Sequence, residues 1–129
     1  MTEKLELYKC RHCGIIVQVL HCGEGTLVCC GDAMKKIEVN ETETELFEKH
    51  IPVFDKCEGK TVIKVGSELH PMTEEHHIEF IEAINEDKSC LCIKFLEPGQ
   101  DPIMKINDND ETHCAVEYCN IHGLFKGHK

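Results

Sequence analysis

The sequence predicts an all-β chain, with a small metal-stapled module followed by a β-sandwich or barrel. Three observations carry this. Residues 1 to about 37 hold five of the ten cysteines, with Gly14, Gly23, Gly25 and Gly31 set among short apolar runs. A folded unit below roughly 40 residues needs a metal, a disulfide or a partner chain to be stable. Beyond it, short strand-like runs alternate with proline and glycine, the pattern of a sandwich or barrel. Finally, ten cysteines stand beside nine histidines in a chain whose first residues are charged rather than apolar. Without a secretory leader those thiols are expected to stay reduced in the cytoplasm, which favours metal binding over a disulfide framework.

In the first module, Ile15–Val17 and Val19–Leu20 read as short strands between turns. Lys36 to Thr44 is polar and acidic, a linker running into a strand. In the second region, Thr61–Val65 alternates and stops at Gly66. Ser89–Leu96 is apolar and stops at Pro98-Gly99, and His113–Tyr118 is a further run. His77–Ile84 stays open, because Ile78, Ile81 and Ile84 also fit a helical spacing. No internal repeat, heptad or run of 18 apolar residues is present. Acidic residues number 24 and basic ones 14, a net charge of −10. That balance excludes a nucleic-acid backbone or an anionic membrane surface as the natural partner.

Cys10-Arg11-His12-Cys13-Gly14 is a knuckle that can aim two sulfurs at one ion, and Cys29-Cys30 would complete a tetrahedral set suited to zinc or a single iron. Adjacent side chains on a strand point to opposite faces. The vicinal pair can therefore share one metal only if the chain turns there, and a site distorted from ideal tetrahedral geometry is expected. Cys22 reads as a stray thiol, and His12 and His21 as solvent-facing.

The histidines of the second region stand beside turn formers: His50 before Ile51-Pro52, His70 before Pro71, then His76 and His77, and Cys119-Asn120-Ile121-His122-Gly123 near the end. Loop residues of this kind can converge from different strand ends. Four imidazoles and one thiolate exceed a zinc tetrahedron and leave one octahedral position open, which suits iron and a small oxygen species. The bland reading is a set of surface histidines with Cys119 in the core.

Taken in order, these motifs resemble the desulfoferrodoxin family of non-haem iron superoxide reductases over nearly the whole chain. Cys10-x-x-Cys13 with Cys29-Cys30 resembles the desulforedoxin module, residues 1–37. Residues 38–129 resemble the catalytic domain through Glu48-Lys49-His50, His70-Pro71-Met72-Thr73, Glu75-His76-His77 and Cys119-Asn120-Ile121-His122. The resemblance implies an immunoglobulin-like β-sandwich, which resolves His77–Ile84 as strand. It also implies two mononuclear irons per chain. One would be held by Cys10, Cys13, Cys29 and Cys30, the other by His50, His70, His76 and His122 with Cys119 axial. His76 is preferred over His77 because it matches the motif, and on a strand His77 would face away.

The implied activity is one-electron reduction of superoxide to hydrogen peroxide. The electrons would come from a small donor such as rubredoxin, in a cytoplasmic homodimer. Lys49 would draw in the anion against the net negative charge, and Glu48 would take the sixth position in the resting ferric state. Phe80 and Phe125 stand where the family often carries tryptophan, keeping an apolar wall without the indole donor. Five cysteines remain. Cys90 and Cys92 share a strand face and are expected in the core, Cys114 lies in a strand-like run, and Cys22 and Cys57 have no assigned role. The competing functions are a non-catalytic iron electron carrier and a zinc-stapled binding module.

Overall fold

The structure is a computed structural model that describes residues 2–40, 49–107 and 112–129. Its chain divides into two compact units, Met1–Glu38 and Val39–Lys129. The described residues form twelve strands.

In the first unit, β1 (Leu7–Lys9) pairs antiparallel with β2 (Ile16–Gln18) and with β5 (Lys35–Lys36), in the order β2-β1-β5. A second ribbon joins β3 (Val28–Cys29) to β4 (Asp32–Ala33). The Val19–Leu20 run lies outside any strand. Apolar burial is sparse here. Leu7, Cys10 and Val19 are buried, while Ile15, Leu20 and Val28 are exposed. So small a core cannot order the unit by burial alone.

The second unit is a β-sandwich of seven strands. One sheet runs β10-β7-β6, from β6 (Pro52–Cys57), β7 (Lys60–Val65) and β10 (Ile103–Asn107). The other runs β12-β11-β8-β9, from β8 (Ile78–Asn85), β9 (Leu91–Phe95), β11 (Thr112–Cys119) and β12 (Gly123–His128). All the pairings within the two sheets are antiparallel. Ile63, Val65, Ile81, Ala83, Met104, Ile106 and Ala115 fill the space between the sheets. The helical spacing of Ile78, Ile81 and Ile84 is overridden, because β8 is a central strand buried on both faces. A strand of that kind reads as a continuous apolar run rather than an alternating one.

Two sequence expectations fail here. Cys90 and Cys92 are exposed rather than buried. The reason is position: Cys92 lies on β9, an edge strand with four of its five residues exposed, and Cys90 lies in the connection just before it. Its neighbour across the sandwich is tied on by the Lys94 ammonium, which donates to the Ile103 carbonyl on edge strand β10 at 3.0 Å. In addition, His76 and His77 precede β8 rather than lying on a strand. Strand alternation therefore does not choose between them.

Candidate metal centres

Both candidate clusters sit where chains turn. In the first unit, Cys10 follows β1, and the knuckle closes through Gly14 N–H to Cys10 O (3.0 Å) and Cys10 N–H to Ile15 O (2.9 Å). Cys29 ends β3 and Asp32 begins β4, so Cys30 and Gly31 form the connecting turn. Both adopt the left-handed region, with φ of 53° and 79°. A two-residue hairpin turn demands this of both positions, and it is the reversal that the vicinal cysteines require. Cys29 Sγ lies 3.6 Å from Cys13 Sγ and 3.9 Å from Cys30 Sγ. Four sulfurs about 2.3 Å from one ion at tetrahedral corners would be about 3.8 Å apart. The backbone amide of Cys13, bonding to sulfur, is the main cause that lowers the Cys10 thiol to about 6. Cys29, crowded first by Cys13 and then by Cys10, is pushed up to about 12. Thiols that compete for protons in this way are those a cation would relieve. Outside the ring of sulfurs, Asp32 accepts from Arg11 Nη2 at 3.0 Å and pairs with His12 Nε2 at 2.5 Å, which braces the knuckle against β4.

The second cluster gathers at one end of the sandwich. His50 precedes β6, His70 follows β7, His76 precedes β8, Cys119 ends β11 and His122 precedes β12. In an antiparallel sandwich those five positions share one edge of the fold, the end at which connecting loops collect. The ligand atoms of His50, His70, His76, Cys119 and His122 all lie within 4.8 Å of one another. Their rings form a square in chain order. Neighbouring centroids are 4.5 Å (His50–His70), 4.5 Å (His70–His76), 5.0 Å (His76–His122) and 4.8 Å (His122–His50). The diagonal His50–His76 is 6.1 Å. Neighbours are steeply inclined, by 67° to 85°. Cys119 Sγ sits against the square, 3.7 Å from His70 Nε2 and 3.9 Å from His122 Nδ1.

The donor set fits a metal ion. His50 Nε2 lies 2.9 Å from His70 Nε2 and 3.1 Å from His122 Nδ1. Ligands about 2.1 Å from an ion at adjacent square corners would be about 3.0 Å apart. His76 Nε2 is buried with no protein partner among the described residues. Burial lowers His70 to about 4 and moves His76 the same way, so neutral imidazoles with free lone pairs converge. Burial raises the Cys119 thiol, while the amides of His122 and Ile121 bonding to sulfur oppose that shift.

Support around the square is specific. Phe125 stacks on His50 at 4.6 Å and 24°. His70 Nδ1 bonds the Pro71 carbonyl at 2.7 Å, which turns Nε2 inward. Asn40 Nδ2 donates to the carbonyls of His122 (2.9 Å) and Leu124 (3.0 Å). Gly66, at φ +84°, lets its turn approach the backbone beside His50, and its N–H donates to Ile51 O at 2.9 Å. Phe80, by contrast, stacks on Tyr118 at 5.7 Å.

Lys49 is exposed, next to buried His50. Glu48 lies outside the described residues. Sequence reasoning missed Asn40, Asn120 and Glu117. The last is wholly buried with neither carboxyl oxygen hydrogen-bonded among the described residues, and burial holds it well above the usual carboxylate range. Asn120 was in plain sight between two motif residues. Asn40 carried no local signal, since its partners are more than eighty residues away.

An all-β protein with one four-thiolate centre and one four-imidazole, one-thiolate centre is a mononuclear non-haem metalloprotein. Residues 2–37 match the desulfoferrodoxin N-terminal domain and residues 42–128 match desulfoferrodoxin itself. A desulfoferrodoxin homolog of Archaeoglobus fulgidus is 48% identical over 126 residues, covering 98% of each chain. Desulfoferrodoxin of Nitratidesulfovibrio vulgaris is 44% identical over 126 residues, again 98% of each. Among solved structures, the superoxide reductase of Treponema pallidum superposes with a TM-score of 0.74 at 25% identity, over 98% of this chain and 99% of that one. The chain belongs to the desulfoferrodoxin family, and its two clusters match that family's two iron centres.

Proposed function

We propose that this chain is a superoxide reductase, adding one electron and two protons to superoxide to give hydrogen peroxide. The observation that carries this is the square of His50, His70, His76 and His122 with Cys119 packed against it. It agrees with the likeness to the Treponema pallidum superoxide reductase. In this reading those five residues hold one iron, and Cys10, Cys13, Cys29 and Cys30 hold the other. Bound there, the first iron would supply the electron. Residues 1–37 serve as the iron module and 38–129 as the catalytic domain.

The chain's own residues do the rest. Cys119 is fully buried while His76 and His122 are half-buried, so a small anion would reach the cluster past those two rings. As a ligand, the Cys119 thiolate would donate electron density to the iron, as thiolates do in haem proteins. The inclined imidazoles and the stacked Phe125 ring keep bulk water from the buried side. Lys49 supplies the local positive charge that a chain of net charge −10 needs to capture an anion. Glu48 would offer a carboxylate to the iron in its oxidised resting state.

No helix among the described residues is long and apolar enough to cross a membrane. The four-thiolate centre calls for a reducing compartment, and the reading therefore includes a cytoplasmic location. The electron donor is a small redox protein such as rubredoxin, and the chain acts as a homodimer. An open apolar groove in the first unit, lined by Ile15, Val17, Leu20, Val28 and Cys29, gives a protein partner somewhere to sit.

The test is stoichiometry. The reduced, iron-loaded protein should yield one peroxide per superoxide consumed and no dioxygen. Dioxygen released alongside peroxide would mean dismutation, and no consumption would mean an electron carrier. Lys49→Ala should slow capture and flatten its dependence on ionic strength. A Lys49→Ala protein as fast as the parent at every salt concentration would remove Lys49 from the mechanism.

A further inference from the structure

His76 precedes the central strand β8 and sits in a bend of its own, without a ladder to orient its backbone. Two side chains stand in for that ladder. Thr73 Oγ1 accepts the His76 N–H at 3.1 Å, and the Thr73 N–H donates to the His76 carbonyl at 3.0 Å. The residues on either side of His76 are held by one amide. Asn120 Nδ2 donates to the Glu75 carbonyl at 3.0 Å, and Asn120 Oδ1 accepts the His77 N–H at 3.0 Å. The Asn120 backbone N–H adds a bond to the His77 carbonyl at 3.1 Å. Asn120 itself lies between Cys119 and His122.

We propose that Asn120 is a positioning residue for the second iron centre: its side-chain amide brackets the His76 backbone and so locks that imidazole to the Cys119–His122 turn. The inference rests on the reading of His76 as an iron ligand. Both functions of the amide are used at once, acceptor to one flank and donor to the other. An ionised carboxylate offers only acceptors, and a hydroxyl offers both functions from a single atom, so neither spans the two flanks as the amide does. The bracket makes three of the five donors one rigid body across two segments more than forty residues apart. Partners bonded directly to a ligand side chain change metal affinity by roughly 10–100-fold when removed, and Asn120, acting one step further out through backbone, should reach the lower end of that range.

The experiment compares the full-length iron-loaded protein with Asn120→Ala, Asn120→Asp and His76→Ala. The readouts are visible absorption and EPR of each centre, and iron release to a ferrous chelator. The four-cysteine centre, far from Asn120 in sequence and built from other residues, is the internal control. Asn120→Ala should shift the spectrum of the histidine–cysteine centre and speed its iron release at least about tenfold, leaving the four-cysteine spectrum unchanged. Asn120→Asp keeps the size and the acceptor but sets an oxygen against the Glu75 carbonyl, and it should behave like Asn120→Ala. Unchanged spectra and release in both Asn120 variants, with His76→Ala altered, would overturn the proposal alone. Release accelerated equally from both centres would mark general destabilisation and also overturn it. A His76→Ala protein with the parent spectrum would overturn the ligand reading and the proposal together.

Discussion

Gly66 offers a sharp test of how the histidine square is held. A Cβ built there would lie 2.4 Å from the Lys49 carbonyl oxygen and 2.5 Å from that of Glu68. Both obstacles are backbone, so no side chain can swing aside. Merely reaching a strained 3.0 Å contact needs a shift of about 0.6 Å, while metal–ligand distances tolerate about 0.2 Å. The Lys49 backbone beside His50 and the turn leading into His70 would be pushed apart together. The left-handed φ adds a cost of its own, about 1 kcal/mol for alanine. Overpacking of backbone adds roughly 1–3 kcal/mol, so Gly66→Ala should lose roughly 2–4 kcal/mol in urea unfolding of the iron-free protein. Gly59 is the control. It shares the left-handed backbone, at φ +77°, with open space around the position of a Cβ. Gly59→Ala should therefore show only the backbone cost, with both irons retained. Gly66→Ala should lose or distort only the histidine–cysteine centre, read from iron content and its visible band. Equal stability losses in the two variants, with the second centre intact in both, would refute the close-approach argument.

Other expectations follow from the same geometry. Burial sets folded His70 at about 4, below its unfolded value of about 6.5, so the unfolded chain binds the extra proton between those limits. Stability of the iron-free protein should then be full above about pH 6.5 and fall by roughly 3 kcal/mol on acidification through about pH 4. Urea midpoints should record the fall, and His70→Gln should shrink it; an unchanged slope in that variant would assign the loss to other groups. Phe125→Ala, removing a ring that is 1% exposed and stacked on His50, should cost about 3–5 kcal/mol and loosen the second centre. Iodoacetamide should label exposed Cys22, Cys57, Cys90 and Cys92 in the native iron-loaded protein, and buried Cys114 only on unfolding. Rapid labelling of Cys114 would contradict its position on β11.

What could be read from the chain beforehand was what lies close together along it. The Cys10–Cys13 knuckle, the need for a turn at Cys29-Cys30 and the clustering of histidines at turn formers are local patterns, and each has a local cause. The strand-and-turn pattern pointed to a sandwich or barrel, and resemblance was needed to choose the sandwich and to make His77–Ile84 a strand, because β8 is buried on both faces and its apolar residues mimic a helix. Cys90 and Cys92 were misplaced for a related reason. Alternation along a strand says which residues share a face, but whether that face is covered depends on β9 being at an edge. The cyclic order of the four rings and the roles of Asn40 and Asn120 depend on pairings across forty to eighty residues, which no window along the sequence contains.

The latch made by residues 39 and 40 bears on how the two halves could be separated. Val39 pairs in parallel with Leu124, the Asn40 N–H donates to Leu124 O at 2.8 Å, and the Asn40 side chain holds the carbonyl of His122. The resemblance to the main desulfoferrodoxin domain begins only at residue 42. A gene cut at that boundary would discard the clasp on a histidine of the square while keeping every residue of the square itself. A free-standing second unit should start no later than Val39, so the short connecting stretch serves as working hardware of the second half as well as tether to the first.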